Sequence, residues 1–166
     1  FFTSTKTTTV DLCVDAAIRL IKNLKWNFKD IDVLIFVTQT PDFLMPSCSS
    51  IVHNKLNLTK NCVSFDINLG CSGYVYGLWN MYKIMENSDY KKGLLLVGDT
   101  ISKTVKSKDH INKLLFGDAG TSTAIVKKAN KKSYFLLGTD GKGSNDLMID
   151  NSGFRNKIFK PEFKMN

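Results

Sequence analysis

Arginine is nearly missing from this chain: Arg19 and Arg155 are the only two among 23 basic residues, and the other 21 are lysines. The formal charge of +8 is therefore not organised for reading bases or phosphates through bidentate guanidinium forks, and nucleic acid is not expected as a partner. A lysine-rich surface can still attract an acidic carrier protein or a phosphorylated cofactor. Long apolar runs are lacking too. The longest, "VLIFV" at 33–37 and "LLLV" at 94–97, fall far short of the roughly 18 residues that a membrane span needs. The opening "FFTSTKTTTV" is too polar for a signal-peptide core, and a chain that begins with Phe1 reads as a fragment or processed product. The cysteines at 13, 48, 62 and 71 have neither the close pairing of a zinc site nor the density of a disulfide framework. No metal or bound cofactor is expected, and a reducing cytoplasm is the simplest setting. "GTDGKGSND" carries Gly141 and Gly143, but no helical pattern follows, which excludes a dinucleotide fingerprint.

What is present suits one α/β domain over residues 1–166, with 43% hydrophobic content and no linker or repeat. Thr8 or Thr9 can cap a helix whose apolar positions Val10, Cys13, Val14, Ala17, Ile18, Ile21 and Leu24 follow the helical period. "DIDVLIFVT" reads as a strand covered on both faces, because Val33 to Val37 are all apolar instead of alternating. After the loop "QTPDFLMPS", Pro46 and Ser47 can open a short helix, and "NCVSFDI" returns as a strand. A helix from Cys71 to Glu86 is apolar nearly all round for three turns, so it is expected to be buried centrally. Gly73 and Gly77 are tolerable within it only where another element approaches closely. "KKGLLLVGD" is a third buried strand, and "KLLFGDAGTSTAIVKK" with "SYFLLGTDG" reads as a hairpin of two more. Residues 144–166 have no clear period.

Cys71 stands at the joint in "FDINLGCSGYVYGL". A cysteine in the first turn of a helix lies beside unpaired N–H groups and the positive end of the macrodipole, both of which favour a thiolate. Gly70, Ser72 and Gly73 permit a sharp strand-to-helix turn, the logic of a nucleophile elbow. From these residues alone, a small buried packing residue stays open and is the commoner role of a buried cysteine.

The longer string resembles a known family. "DIDVLIFVTQTPDFLMPSCSSIVHNKLNL", "NCVSFDINLGCSGYVYGL", "KKGLLLVGDTISK" and "LLFGDAGTSTAIV" are similar, in order and spacing, to landmarks of the 3-oxoacyl-acyl-carrier-protein synthase III family of the thiolase superfamily. The specific parts are "DINLGCSG" and "FGDAG". The resemblance implies a thiolase-like layered α/β fold. It implies most of an N-terminal half, lacking the family's opening strand and its second half, with a mixed, mostly parallel five-stranded sheet and a buried helix starting at Cys71. It also implies that Cys71 accepts an acyl group, which then condenses with malonyl-acyl-carrier-protein as that partner decarboxylates, in fatty acid or related biosynthesis. Coenzyme A or acyl-carrier-protein thioesters would be the substrates, and a homodimer the expected assembly. Met45 corresponds to the residue that reaches across the dimer towards the partner's acyl tunnel. His110 stands where the family often has an arginine contacting coenzyme A. A histidine and an asparagine that support decarboxylation would come from the second half. Three alternatives stay open: a superfamily relative making another acyl product, a non-catalytic dimerising subunit, and a cysteine hydrolase using His53 or His110 as base.

Overall fold

The computed structural model describes residues 2–86, 88–105, 109–128, 133–150, 152, 154 and 155, with the backbone alone at 111 and 162–165. Helix α1 (Thr9–Leu24) is capped by Thr8 rather than Thr9: Thr8 Oγ1 accepts from the Asp11 N–H at 3.2 Å, and the Asp11 carboxylate accepts from the Thr8 N–H at 3.1 Å. That reciprocal pair is a capping box built with Asp. Strand β1 (Val33–Val37) is followed by α2 (Cys48–Lys55), β2 (Val63–Ile67), α3 (Gly73–Glu86), β3 (Lys92–Asp99), the short α4 (His110–Leu115) and β4 (Ala119–Val126).

The main sheet has the order β2-β1-β3-β4, with β1 parallel to both β2 and β3 and β4 antiparallel to β3. All five residues of β1 are buried. Leu34 and Phe36 pack with Leu94 and Leu96 under α1 and α2, while Val33, Ile35 and Val37 pack with Leu95 under α3. Helices on both faces explain why this strand does not alternate. Carboxylates then tie the loops to the frame. Asp66 on β2 accepts from the Cys48 and Ser49 N–H groups, each at 2.7 Å, satisfying the start of α2. Asp118, in "FGDAG", accepts from the backbone and hydroxyl of Thr3 at 2.8 and 2.7 Å and of Ser102 at 3.0 and 2.6 Å.

Three features differ from the sequence reading. The main sheet has four strands among the described residues, not five: "SYFLLGTDG" (133–141) forms no ladder with β4. That stretch instead lies against α3, where the Tyr76 hydroxyl donates to Gly138 O at 3.0 Å and Phe135 meets Tyr82 edge-on at 5.5 Å. The lysine-rich turn expected before it falls at 129–132, outside the described residues, while the unassigned tail supplies a separate antiparallel pair, β5 (Leu147–Asp150) with β6 (Glu162–Met165). Helix α3 starts at Gly73 rather than Cys71, because the Gly73 N–H is drawn back to Gly70 O at 2.8 Å in a tight turn. Only one of its faces is fully buried. Gly73, Gly77, Met81 and Met85 are buried, whereas Tyr74, Val75 and Tyr82 keep 40–44% of their surface. No described helix is long and apolar enough to cross a membrane.

Two outcomes follow from this packing. A Cβ on Gly120 would sit 2.6 Å from the Leu12 carbonyl carbon and 2.7 Å from the Cys13 nitrogen, and that backbone cannot rotate aside. Gly120→Ala should destabilise the protein by about 1–3 kcal/mol in urea unfolding. Burial alone would raise the Asp118 carboxyl, but the hydrogen bonds from Ser102 and Thr3 outweigh it and hold the group below the ordinary carboxylate value. Its stabilisation is therefore complete above the unfolded value of about 3.9 and fades as pH falls through the lower folded one. Asp118→Asn should cost roughly 1–3 kcal/mol at neutral pH, and the gap to the natural protein should narrow in urea titrations below about pH 4.

Candidate active site

The parallel strands β1, β2 and β3 bring their C-terminal ends to one side of the sheet, where open α/β sheets form clefts. Strand β2 ends at Ile67, and the turn Gly70–Gly73 carries Cys71 out above that side before α3 begins. At Gly70 the Gln39 carboxamide occupies the space that a Cβ would fill. Gly73 and Gly77 let α3 settle on the sheet: Cβ atoms at these positions would approach Val37 Cγ1 to 2.5 Å and Leu95 Cδ1 to 2.7 Å. Close helix–sheet packing thus fixes the height at which Cys71 leaves the sheet.

Cys71 lines a cavity of about 400 Å³ whose walls include Tyr74, Val97, Ile101, Phe116 and Met148, with Gln39 and Asp99 as polar members. Asp99 ties this wall to the loop after β1. Its Oδ1 accepts from the Thr38 hydroxyl at 2.8 Å, the Gln39 N–H at 2.7 Å, and the Thr40 N–H and hydroxyl at 3.0 and 2.9 Å. A mostly apolar hollow with one exposed sulfur at its edge can hold an aliphatic group tethered to that sulfur. Cys71 is exposed, while the other three cysteines are buried. Burial pushes the Cys13 thiol up to about 12 and the Cys48 and Cys62 thiols to about 11, which makes them poor nucleophiles.

The remaining candidates lie elsewhere. Met45 projects from the 38–47 loop with 87% of its surface free and does not line the Cys71 cavity. His110 is exposed at the start of α4 and is not part of that wall either. His53 is half-buried, with Nε2 2.9 Å from Thr59 O across the turn after α2. The described residues contain no group of three or more His, Cys, Asp or Glu able to hold a metal. Gln39, Asp99 and Phe116 went unnoticed in the sequence. The available signal was positional, because Gln39 and Asp99 each stand at or just past the C-terminal end of a parallel strand.

Residues 65–141, which include the whole of α3 and the Cys71 turn, match the family model described as 3-Oxoacyl-[acyl-carrier-protein (ACP)] synthase III. Over that stretch the chain is similar to this family. It is 34% identical over 160 residues to beta-ketoacyl-[acyl-carrier-protein] synthase III of Clostridioides difficile, covering 95% of this chain and 48% of that protein. The namesake of Fusobacterium nucleatum is 35% identical over 148 residues, covering 89% and 44%. The crystal structure of 3-oxoacyl-(acyl-carrier protein) synthase from Burkholderia xenovorans superposes with a TM-score of 0.87 at 40% identity, covering 97% of this chain and 45% of that one. The fold is thus the thiolase-like α/β fold of the synthase III family. The chain spans about half the length of the curated relatives it matches.

The exposure pattern predicts a labelling order. Native protein treated briefly with iodoacetamide should carry the adduct on Cys71, with Cys13, Cys48 and Cys62 reacting only after unfolding. Peptide mass spectrometry reads this, and equal labelling of all four would contradict the burial assigned to them.

Proposed function

We propose that the protein containing this chain is a condensing acyltransferase of the synthase III type, with Cys71 as its acyl acceptor. The observation that carries the reading is the single exposed thiol of the four cysteines, held on a tight strand-to-helix turn beside an apolar cavity. In the first step the Cys71 thiolate attacks the carbonyl carbon of an acyl thioester, the thioester C–S bond breaks, and coenzyme A or the acyl carrier protein leaves as its thiolate, which takes a proton from solvent. In the second, malonyl-acyl-carrier-protein loses carbon dioxide, and the resulting enolate attacks the acyl-cysteine carbonyl. A carbon–carbon bond forms, the C–S bond breaks, and the Cys71 thiolate is regenerated. The covalent intermediate divides one difficult reaction into two easier ones.

The local backbone supports the first step. The Gly73 N–H is taken by Gly70 O, so in this reading the Cys71 N–H is the donor at the helix start that faces the negative charge developing on the carbonyl oxygen. Neither imidazole of the chain lines the cavity, and His53 is engaged with Thr59 O. That arrangement disfavours a cysteine hydrolase using either one as base. The decarboxylating histidine and asparagine are taken, in this reading, from the part of the relatives' length that this chain does not cover. Met45, with Phe43 and Leu44 exposed beside it, is read as a dimer contact at the partner's acyl site, and His110 as a surface residue near the route of the incoming thioester. A cytoplasmic homodimer served by acyl carrier protein completes the reading.

The full-length enzyme, given an acyl-coenzyme A and malonyl-acyl-carrier-protein, should form 3-oxoacyl-carrier protein, and Cys71→Ala should lower that formation by at least about a thousandfold. Product detected by mass spectrometry at unchanged rate in the alanine variant would exclude Cys71 from the reaction.

A further inference from the structure

Two cavities meet at Gln39. The first, about 400 Å³, holds Cys71. The second, about 560 Å³, lies beyond the loop after β1 and is lined by Phe43, Leu44, Lys103 and Thr104 among others. Gln39 and Ile149 are the residues common to both walls. The Gln39 backbone is held firmly, since its N–H donates to Asp99 Oδ1 at 2.7 Å and the residues on either side bond the same oxygen. Its carboxamide lies directly over Gly70, the residue before Cys71, where the missing Cβ leaves room for it.

We propose that Gln39 is a specificity-determining residue, its side chain forming the partition that limits the length of the aliphatic group carried on Cys71. The proposal rests on the reading of Cys71 as an acyl acceptor. A short acyl group fits within the first cavity, between Val97, Ile101 and Phe116. A longer one meets the Gln39 side chain, which blocks the way by its bulk. Beyond that barrier, Phe43 and Leu44 offer apolar surface on which further methylenes would leave water. Ile149 also borders both spaces, so removing the Gln39 side chain should open the part of the partition that Gln39 forms, and the anchored backbone should keep the surrounding walls in place.

Alkyl methanethiosulfonates test this directly, because they form a disulfide with an exposed thiol and release methanesulfinate whether or not the protein transfers acyl groups. The full-length protein is treated with reagents from methyl to decyl, and the rate is followed on the Cys71 peptide. The natural protein should react well with short reagents and poorly with long ones. Gln39→Ala should raise the long-chain rate relative to methyl by roughly tenfold, the low end for discrimination in apolar pockets. Gln39→Leu, which keeps the bulk and removes the amide, should retain the natural profile. An unchanged profile in the alanine variant overturns the proposal. So does an equal gain for all lengths, which would mean only that the sulfur is more exposed, or a leucine variant that behaves like alanine. A parallel series of acyl-coenzyme A donors separates the two ideas: a shifted alkyl profile with no acyl adduct for any donor refutes the acyl-acceptor reading, while acyl adducts with an unshifted profile refute the partition alone.

Discussion

The close seating of α3 on the sheet is the constraint on which the arrangement depends. Gly73 faces Val37 and Gly77 faces Leu95 at distances that leave no space for a side chain on either glycine. Gly77, inside the helix, costs it about 1 kcal/mol in propensity, a loss that dense packing against β1 and β3 offsets. Because the helix axis is pulled so near the strands, the chain leaving β2 has only Asn68 to Ser72 in which to turn. The result is the tight Gly70–Gly73 turn, with Cys71 at its outer corner. A bulkier residue at 73 or 77 would lift the helix and carry the sulfur away from the cavity that Val97, Ile101 and Phe116 enclose.

The carboxylates play a mechanical part. Asp66 holds the start of α2, Asp99 holds the loop after β1, and Asp118 joins the N-terminal segment to the turn that begins at Ile101. Each accepts from two or more donors, the charge-assisted arrangement that best fixes a loop. Two of them stand beside the site without touching the sulfur's chemistry: Asp99 lines the Cys71 cavity, and Asp118 directly follows Gly117, which also lines it. The chemistry assigned to this chain thus needs one reactive atom, while the polar groups around it keep the walls still.

Much of this was legible in the sequence, for identifiable reasons. The unbroken apolar run of β1 reports two covered faces, and a threonine just ahead of the apolar period reports a capped helix, because each signal is local and physically direct. The synthase III motifs marked Cys71 where local physics left two readings open. Residues 133–140 misled because an apolar stretch after a strand resembles the return arm of a hairpin, whereas aromatic contacts to Tyr76 and Tyr82 hold it against α3 instead. The one-sided burial of α3 was hidden because an all-round apolar pattern tells that a helix will be covered, not which element covers it. Gln39 gave no composition signal at all. Its position became visible only once Gly70 and the two cavities were placed around it.

The central claim is that Cys71 takes an acyl group on its sulfur. Its most direct test is the intact mass of the full-length enzyme after exposure to acetyl-coenzyme A without malonyl partner, followed by peptide mapping. The account predicts a gain of one acetyl group, about 42 Da, located on the peptide containing Cys71 and absent when that residue is serine. An unmodified mass, or an acetyl group found on another residue with Cys71 free, would contradict it.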